Sequence, residues 1–348
     1  MKEAIQKAVD LVRNYDGAPI RIMEVCGTHT HEMFRQGIRS MLPPAVRLIS
    51  GPGCPVCVTP VSYIDEAVYL ALEKGCRIFT FGDLIRVPGS EKSLAGARAE
   101  GASIQMVYSP VDALDYAREH PRERVVFLSV GFETTTPASC IAVRDAAEEG
   151  ISNFSILAAN KTMDNAYRAL ADSCDAFLYP GHVSTITGTG IYEELKAEGL
   201  SGVVAGFTGP ELITAVAVII RMIQEEKKPF FVNAYPRVVT AEGSPSGRKI
   251  IEQVMEPVDS EWRGLGIIPG SGLKVRDEYA AHDARKVYDI PAFTGGGNPA
   301  CRCGEVLSGA ITPRQCPLFG KVCTPEHPVG ACMVSGEGAC SAFYKYGM

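Results

Sequence analysis

The chain has 348 residues, 46% hydrophobic and 21% charged, with a net charge of −6 and a pI near 5.6. That length exceeds one ordinary core and implies two or three domains, and a mean hydropathy of +0.05 is that of a globular chain, not a disordered or fibrous one. The acidic balance leaves no electrostatic footprint for nucleic acid or an anionic membrane.

The opening MKEAIQKAVDLVRNYDG carries charges every few positions and has no apolar centre, so it reads as an amphipathic helix, not a signal peptide. Strand-like apolar runs follow at 20–25, 46–50, 77–81, 103–108, 124–130, 154–159, 176–180, 202–207 and 229–235. Helical patterns at 61–74, 92–100, 110–119, 137–149, 164–172 and 209–227 lie between them. Near-continuous apolar strands separated by helices predict parallel sheets covered on both faces. The longest apolar stretch, LITAVAVII at 212–220, is too short to span a bilayer and reads as a buried helix. A cytoplasmic protein is expected.

Three pairs of strand-end motifs recur in the same order: EVCGTHT with SVGFETTT, ISGPGCPV with LYPGHVST, and TFGDL with VAGFTGPEL. They suggest two similar α/β lobes, residues 1–120 and 121–235, with a cleft between them. From 236 to 348 the chain turns rich in glycine and proline and reads as a third, Cys-rich domain.

Twelve cysteines in a reducing compartment need a purpose other than structural disulfides. Cys76, Cys140 and Cys174 sit without partners and read as small core residues. Cys26 closes a strand before Gly27, where Thr28 or Thr30 would cap the next helix. Ligands of open α/β sheets bind beyond the carboxyl ends of strands. There the thiol is expected to face solvent and a helix dipole, which favours the thiolate. His29 and His31 add ligands or a proton relay, His29 one helical step beyond the thiol.

The segment GPGCPVC places Cys54 and Cys57 before a helix expected to have Thr59 as its N-cap and Pro60 at its first position. Such a C-x-x-C serves either as a redox dithiol of lowered pKa or as half of a zinc site. The redox reading is preferred, because the chain has no second C-x-x-C. Glu133 in GFETTTP and His182 in YPGHVST stand at corresponding turns and form a candidate acid/base surface across the cleft; Glu133 and Thr134 serve equally well as helix caps.

Six cysteines fall in the last 48 residues, spaced C-x-C-x12-C-x6-C-x8-C-x7-C. In a Gly/Pro-rich tail this density argues for a metal centre: a [4Fe–4S] cluster taking four thiols, with zinc as its rival.

The segments CGTHTHE, GPGCPVCVTP, GFETTTP, PGHVSTITG, GFTGPE and the whole Cys-rich tail resemble, in order and along nearly the full chain, the HypD family of hydrogenase maturation factors. The resemblance implies a scaffold on which the Fe(CN)2CO group of [NiFe] hydrogenases is assembled. It implies as partners a HypC-type small chaperone and HypE, the cyanide donor, itself charged by HypF. By position Cys26 resembles the cysteine that holds this iron, and Cys54 and Cys57 the family's dithiol. The cluster spacing C-x14-C-x6-C-x16-C falls on Cys301, Cys316, Cys323 and Cys340, leaving Cys303 and Cys332 to resemble a second redox pair. Two other expectations stand beside this one: a dithiol reductase similar to ferredoxin:thioredoxin reductase, and a zinc-stabilised α/β protein.

Overall fold

The computed structural model describes residues 2–347. All nine expected strands form: β1 (Ile20–Glu24), β2 (Val46–Ser50), β3 (Arg77–Thr80), β4 (Ile104–Met106), β5 (Val125–Ser129), β6 (Phe154–Ala158), β7 (Ala176–Pro180), β8 (Gly202–Ala205) and β9 (Phe231–Asn233). They build two parallel sheets, ordered β2-β1-β7-β8-β9 and β4-β3-β5-β6. β5, β6 and β7 are buried at every residue, the burial a parallel strand acquires from helices on both faces.

The two sheets share a winding, in which the first strand is flanked by the second on one side and the third on the other, and the lobes are alike in that sense. They do not divide the chain at residue 120, however. β1 and β2 pair with β7 to β9, so β3 to β6 form a lobe inserted within the other. The motif pairs therefore do not mark a repeat: β2 and β7, expected to correspond across the lobes, lie in the same sheet, and β3 lies in a different sheet from β1 and β2. Similar strand-end turns arise because each strand must pass through a tight turn into a helix.

A core of residues from both sheets, among them Met23, Ile49, Ile78 and Leu128, fills the space between the lobes. Outside the first sheet, the helices Lys2–Arg13 and Gly209–Gln224 cover Ile22, Leu178 and Val203. The expected apolar helix is thus buried, with Leu212, Ile213, Val216, Ile219 and Ile220 inside. Each such side chain contributes about 1.5–3 kcal/mol through removal from water. Among the described residues no helix is long and apolar enough to cross a membrane.

Two elements lay hidden in the turn-rich segment. The helix Pro245–Val254 leads into an antiparallel hairpin, β10 (Met255–Trp262) and β11 (Gly266–Val275). Met255, Leu273 and Val275 join the outer core of the second sheet. Residues 245–275 are thus a further layer on that lobe, not part of a separate unit. The tail beyond has short helices only, among them Ala284–Tyr288, Cys303–Leu307, Ala331–Val334 and Ala339–Tyr346.

Candidate functional site

In the first sheet the strand order reverses between β1 and β7, and at such a reversal the outgoing chains diverge and leave a crevice. Cys26 stands there, just past β1, and His182 just past β7. The tail closes over them. Thr28 Oγ1 donates to Glu337 Oε1 at 2.6 Å, Ser335 Oγ donates to Asp83 Oδ2 at 2.7 Å, and Phe343 stacks edge-on against Phe34 at 4.7 Å. The tail thereby bridges the carboxyl ends of both sheets.

Cys26 is the N-cap of the helix Gly27–Arg35, with extended backbone. Its thiol does not face solvent as expected: it is 8% exposed. Burial pushes its pKa up to about 12, and the Glu337 carboxylate adds to the rise. The backbone N–H groups of His29 and Thr28 and the Thr28 hydroxyl oppose that rise, so the helix start does favour the thiolate, but more weakly than burial disfavours it. A soft cation at the sulfur would reverse the balance, since a coordinated thiol is deprotonated outright. Neither threonine caps the helix. Thr28 holds Glu337, and Thr30 donates to the buried Glu24, which Arg39 neutralises at 2.6 Å.

His29 is fully buried, with Nε2 3.0 Å from the carbonyl oxygen of Gly206. A carbonyl only accepts, so Nε2 carries the proton and Nδ1 presents a lone pair. Nδ1 is buried without a partner. Burial lowers the His29 pKa to about 4, which keeps the ring neutral. His31 turns instead to the Tyr346 hydroxyl, 3.2 Å away.

Cys54 and Cys57 bracket a helical turn absent from the sequence reading, Pro55–Val58, with Cys54 as its N-cap and its Sγ accepting from the Cys57 N–H at 3.3 Å. Thr59 ends this turn and does not begin the next helix, which runs Val61–Leu72. The loop reaches Cys26 directly: Gly27 N–H donates to Gly53 O at 3.1 Å, and a Cβ at Gly53 would stand 2.1 Å from the Cys26 nitrogen. Only glycine permits that approach. Cys57 is wholly buried, and its pKa is raised, not lowered: burial comes first, then the Cys332 and Cys54 thiols beside it.

Cys332 belongs to the tail pocket. All six tail cysteines line that one pocket, together with Leu318, Phe319 and Met333. The thiols of Cys301 and Cys303 lie in hydrogen-bonding contact, and Cys340 faces Cys332, Cys301, Cys323 and Cys316. A zinc ion would draw its sulfurs to about 3.8 Å of one another (Zn–S about 2.3 Å, tetrahedral). Six soft thiols around one apolar pocket are a donor set that fits an iron–sulfur group and equally offers enough sulfurs for zinc.

Glu133 and His182 do not meet. Glu133 is 7% exposed, and its Oε1 accepts from the Met163 N–H at 2.8 Å while Oε2 is buried without a partner. Burial raises its pKa to about 7. It does not cap the helix that follows it, Thr136–Glu149, whose N-cap is Thr135; the N–H it accepts belongs to the N-cap residue of the helix Asp164–Ala169. His182 is exposed and stacks on Phe207 at 3.8 Å, on the Cys26 side of the cleft. Four residues at the site escaped the sequence reading: Glu337, Arg263, and the paired Glu24 and Arg39. None belongs to a recognisable spacing, and each reaches the site only through tertiary packing.

Fold and site together define a two-lobed α/β protein whose Cys54–Cys57 turn meets a Cys-rich tail through Cys332. The family model "HypD: Hydrogenase formation hypA family" matches residues 1–347. The chain is 44% identical over 340 residues to the hydrogenase maturation factor HypD of Rhodobacter capsulatus, covering 94% of this chain and 90% of that one. It is 42% identical over 335 residues to that of Escherichia coli K12, covering 94% and 89%. It is also 42% identical over 339 residues to the hydrogenase expression/formation protein HupD of Azotobacter chroococcum, again covering 94% and 89%. The chain belongs to the HypD family of hydrogenase maturation factors.

Proposed function

We propose that this protein is the scaffold on which the Fe(CN)2CO group of a [NiFe] hydrogenase is assembled, in complex with a HypC-type chaperone and with cyanide delivered from HypE after HypF has charged it. The observation that carries this reading is the contact of Cys57 with both Cys54 and Cys332, which joins the cleft holding Cys26 to the six-thiol pocket. A carrier of low-spin iron needs both parts: a soft ligand for the cargo and a route for electrons that keep it reduced.

Cys26 is the protein's ligand to the cargo iron, and the chaperone supplies another. His29, neutral and buried, offers Nδ1 as a hydrogen-bond acceptor next to that ligand. Cys54 and Cys57 form the dithiol, and Cys303 and Cys332 the second pair beside the pocket. Cys301, Cys316, Cys323 and Cys340 would hold a [4Fe–4S] cluster, which supplies electrons one at a time. Glu133 acts inside the second lobe, away from His182, as an acid poised to exchange a proton near neutral pH. A reductase would use the same thiol chain, and Cys26 separates the two readings, since only the scaffold needs it.

The test is complementation. In a bacterial host lacking its own family member, the wild-type chain restores active [NiFe] hydrogenase and Cys26→Ala does not. Full restoration by Cys26→Ala would remove the scaffold reading and leave the reductase.

A further inference from the structure

Arg263 is a buried cation with no acid beside it among the described residues. It is 8% exposed, and its side chain donates to backbone carbonyls only: Nε to Thr59 O at 2.7 Å and Nη2 to Pro88 O at 3.5 Å. Glu261, which lines the same surface pocket, is exposed and makes no ion pair with it. A guanidinium does not deprotonate in a protein, so its charge persists in the interior. Burying such a charge without a counter-ion is unfavourable.

Its surroundings are thiols, which carry no charge while protonated: Cys301 and Cys303 line one pocket with it, and Cys332 and Cys57 also lie close. The placement is fixed from two sides. The Arg263 N–H donates to Val58 O at 2.8 Å, which ties it to the turn carrying Cys54 and Cys57. The next residue, Gly264, packs so closely on Gly304 that a Cβ there would lie 2.6 Å from the Gly304 Cα and 3.5 Å from the Cys303 Sγ.

We infer that Arg263 is the resident counter-cation of the tail pocket, a positioning residue whose fixed charge stabilises the reduced, more negative form of a cluster held by Cys301. This inference rests on the cluster proposed above. A positive charge beside such a group raises its reduction potential, because one-electron reduction of a cluster adds negative charge.

Arg263→Gln and Arg263→Lys in the full-length protein, reconstituted anaerobically with iron and sulfide, test it. The cluster midpoint potential is read from each preparation by an electron-paramagnetic-resonance titration. In Arg263→Gln the midpoint becomes more negative, while Arg263→Lys stays close to wild type. A purely structural arginine would lower thermal stability in both variants and leave the midpoint unmoved, and that result would overturn the inference. If Arg263→Gln does not fold, lysine is compared with Nε-acetyl-lysine installed at position 263, and the neutral side chain must give the more negative midpoint. A wild-type protein that takes up no cluster would defeat the proposed cofactor and this inference with it, whereas a loaded wild type with unmoved variant midpoints would defeat this inference alone.

Discussion

Cys57, in the loop after β2, and Cys332, in the tail, hold their thiols against each other in the protein interior, with Cys57 Sγ 3.9 Å from the carbonyl oxygen of Ala331. One contact thus spans a sequence separation of 274 residues between Cys57 and Ala331 and links the cleft to the tail pocket. If electrons pass between the two, Cys332 is the junction. Cys332→Ala should leave iron and sulfide content at wild-type levels, because four other thiols serve as ligands. It should slow the reduction of an oxidised Cys54–Cys57 pair by a chemical reductant at least several-fold, as followed by timed thiol trapping. An unchanged time course would remove Cys332 from the route.

Cys316→Ala should lose bound iron, sulfide and visible colour. The half-exposed Cys316 packs little by itself, so the cluster-free variant and the cluster-free wild type should melt together. The loaded wild type should melt higher, since a group that binds only the folded state adds its binding free energy to stability. Retention of full iron content in this variant would exclude Cys316 as a ligand.

Gly53→Ala should be costly although it adds a single methyl group. The new Cβ would stand 2.1 Å from the Cys26 nitrogen, and the obstacle is backbone, not a movable side chain. Forcing the two loops apart costs about 1–3 kcal/mol, measurable by chemical denaturation. It should also retard trapping of the cargo iron at Cys26 more than it affects the tail pocket.

Glu133→Gln should flatten part of the pH dependence of stability. With a folded pKa near 7, raised by burial from the usual 4.5, the folded state prefers the protonated acid. The contribution is complete below about pH 4.5 and disappears as pH rises through 7, for a total of about 3 kcal/mol. Denaturation of both proteins from pH 5 to 8 should show the glutamine variant gaining on the wild type as pH rises. Parallel curves would mean that Glu133 is ionised throughout.

Much of the fold was legible because buried parallel strands are written as apolar runs, as in Val125–Ser129 and Phe154–Ala158. The hairpin β10–β11 was not: Pro257, Pro269, Gly270 and Gly272 interrupt it, and only its ends and its contact with the second lobe are buried. Lobe membership was hidden too, because the partner that β1 chooses lies more than 150 residues away. At the site, the glycine turns and cysteine spacings pointed to the right residues. What they could not give was environment. Cys26 was expected to be exposed because nothing near it in sequence indicates that Glu337 and the last helix fold over it. Arg263, in the plain stretch WRGLG, became visible only once its neighbours were known.

The central claim is that Cys26 carries the cargo iron. Infrared spectroscopy of the protein purified with its small chaperone tests this most directly, because cyanide and carbon monoxide bound to iron absorb where proteins do not. Cys26→Ala removes one small buried group and should cost about 1 kcal/mol, leaving the fold, the tail pocket and complex formation in place, with Cys26→Ser as a second variant of nearly equal size. The wild-type complex should show cyanide and carbon monoxide bands, and both variants should lack them while retaining iron and sulfide in the tail. Bands of wild-type intensity in either variant would contradict the account.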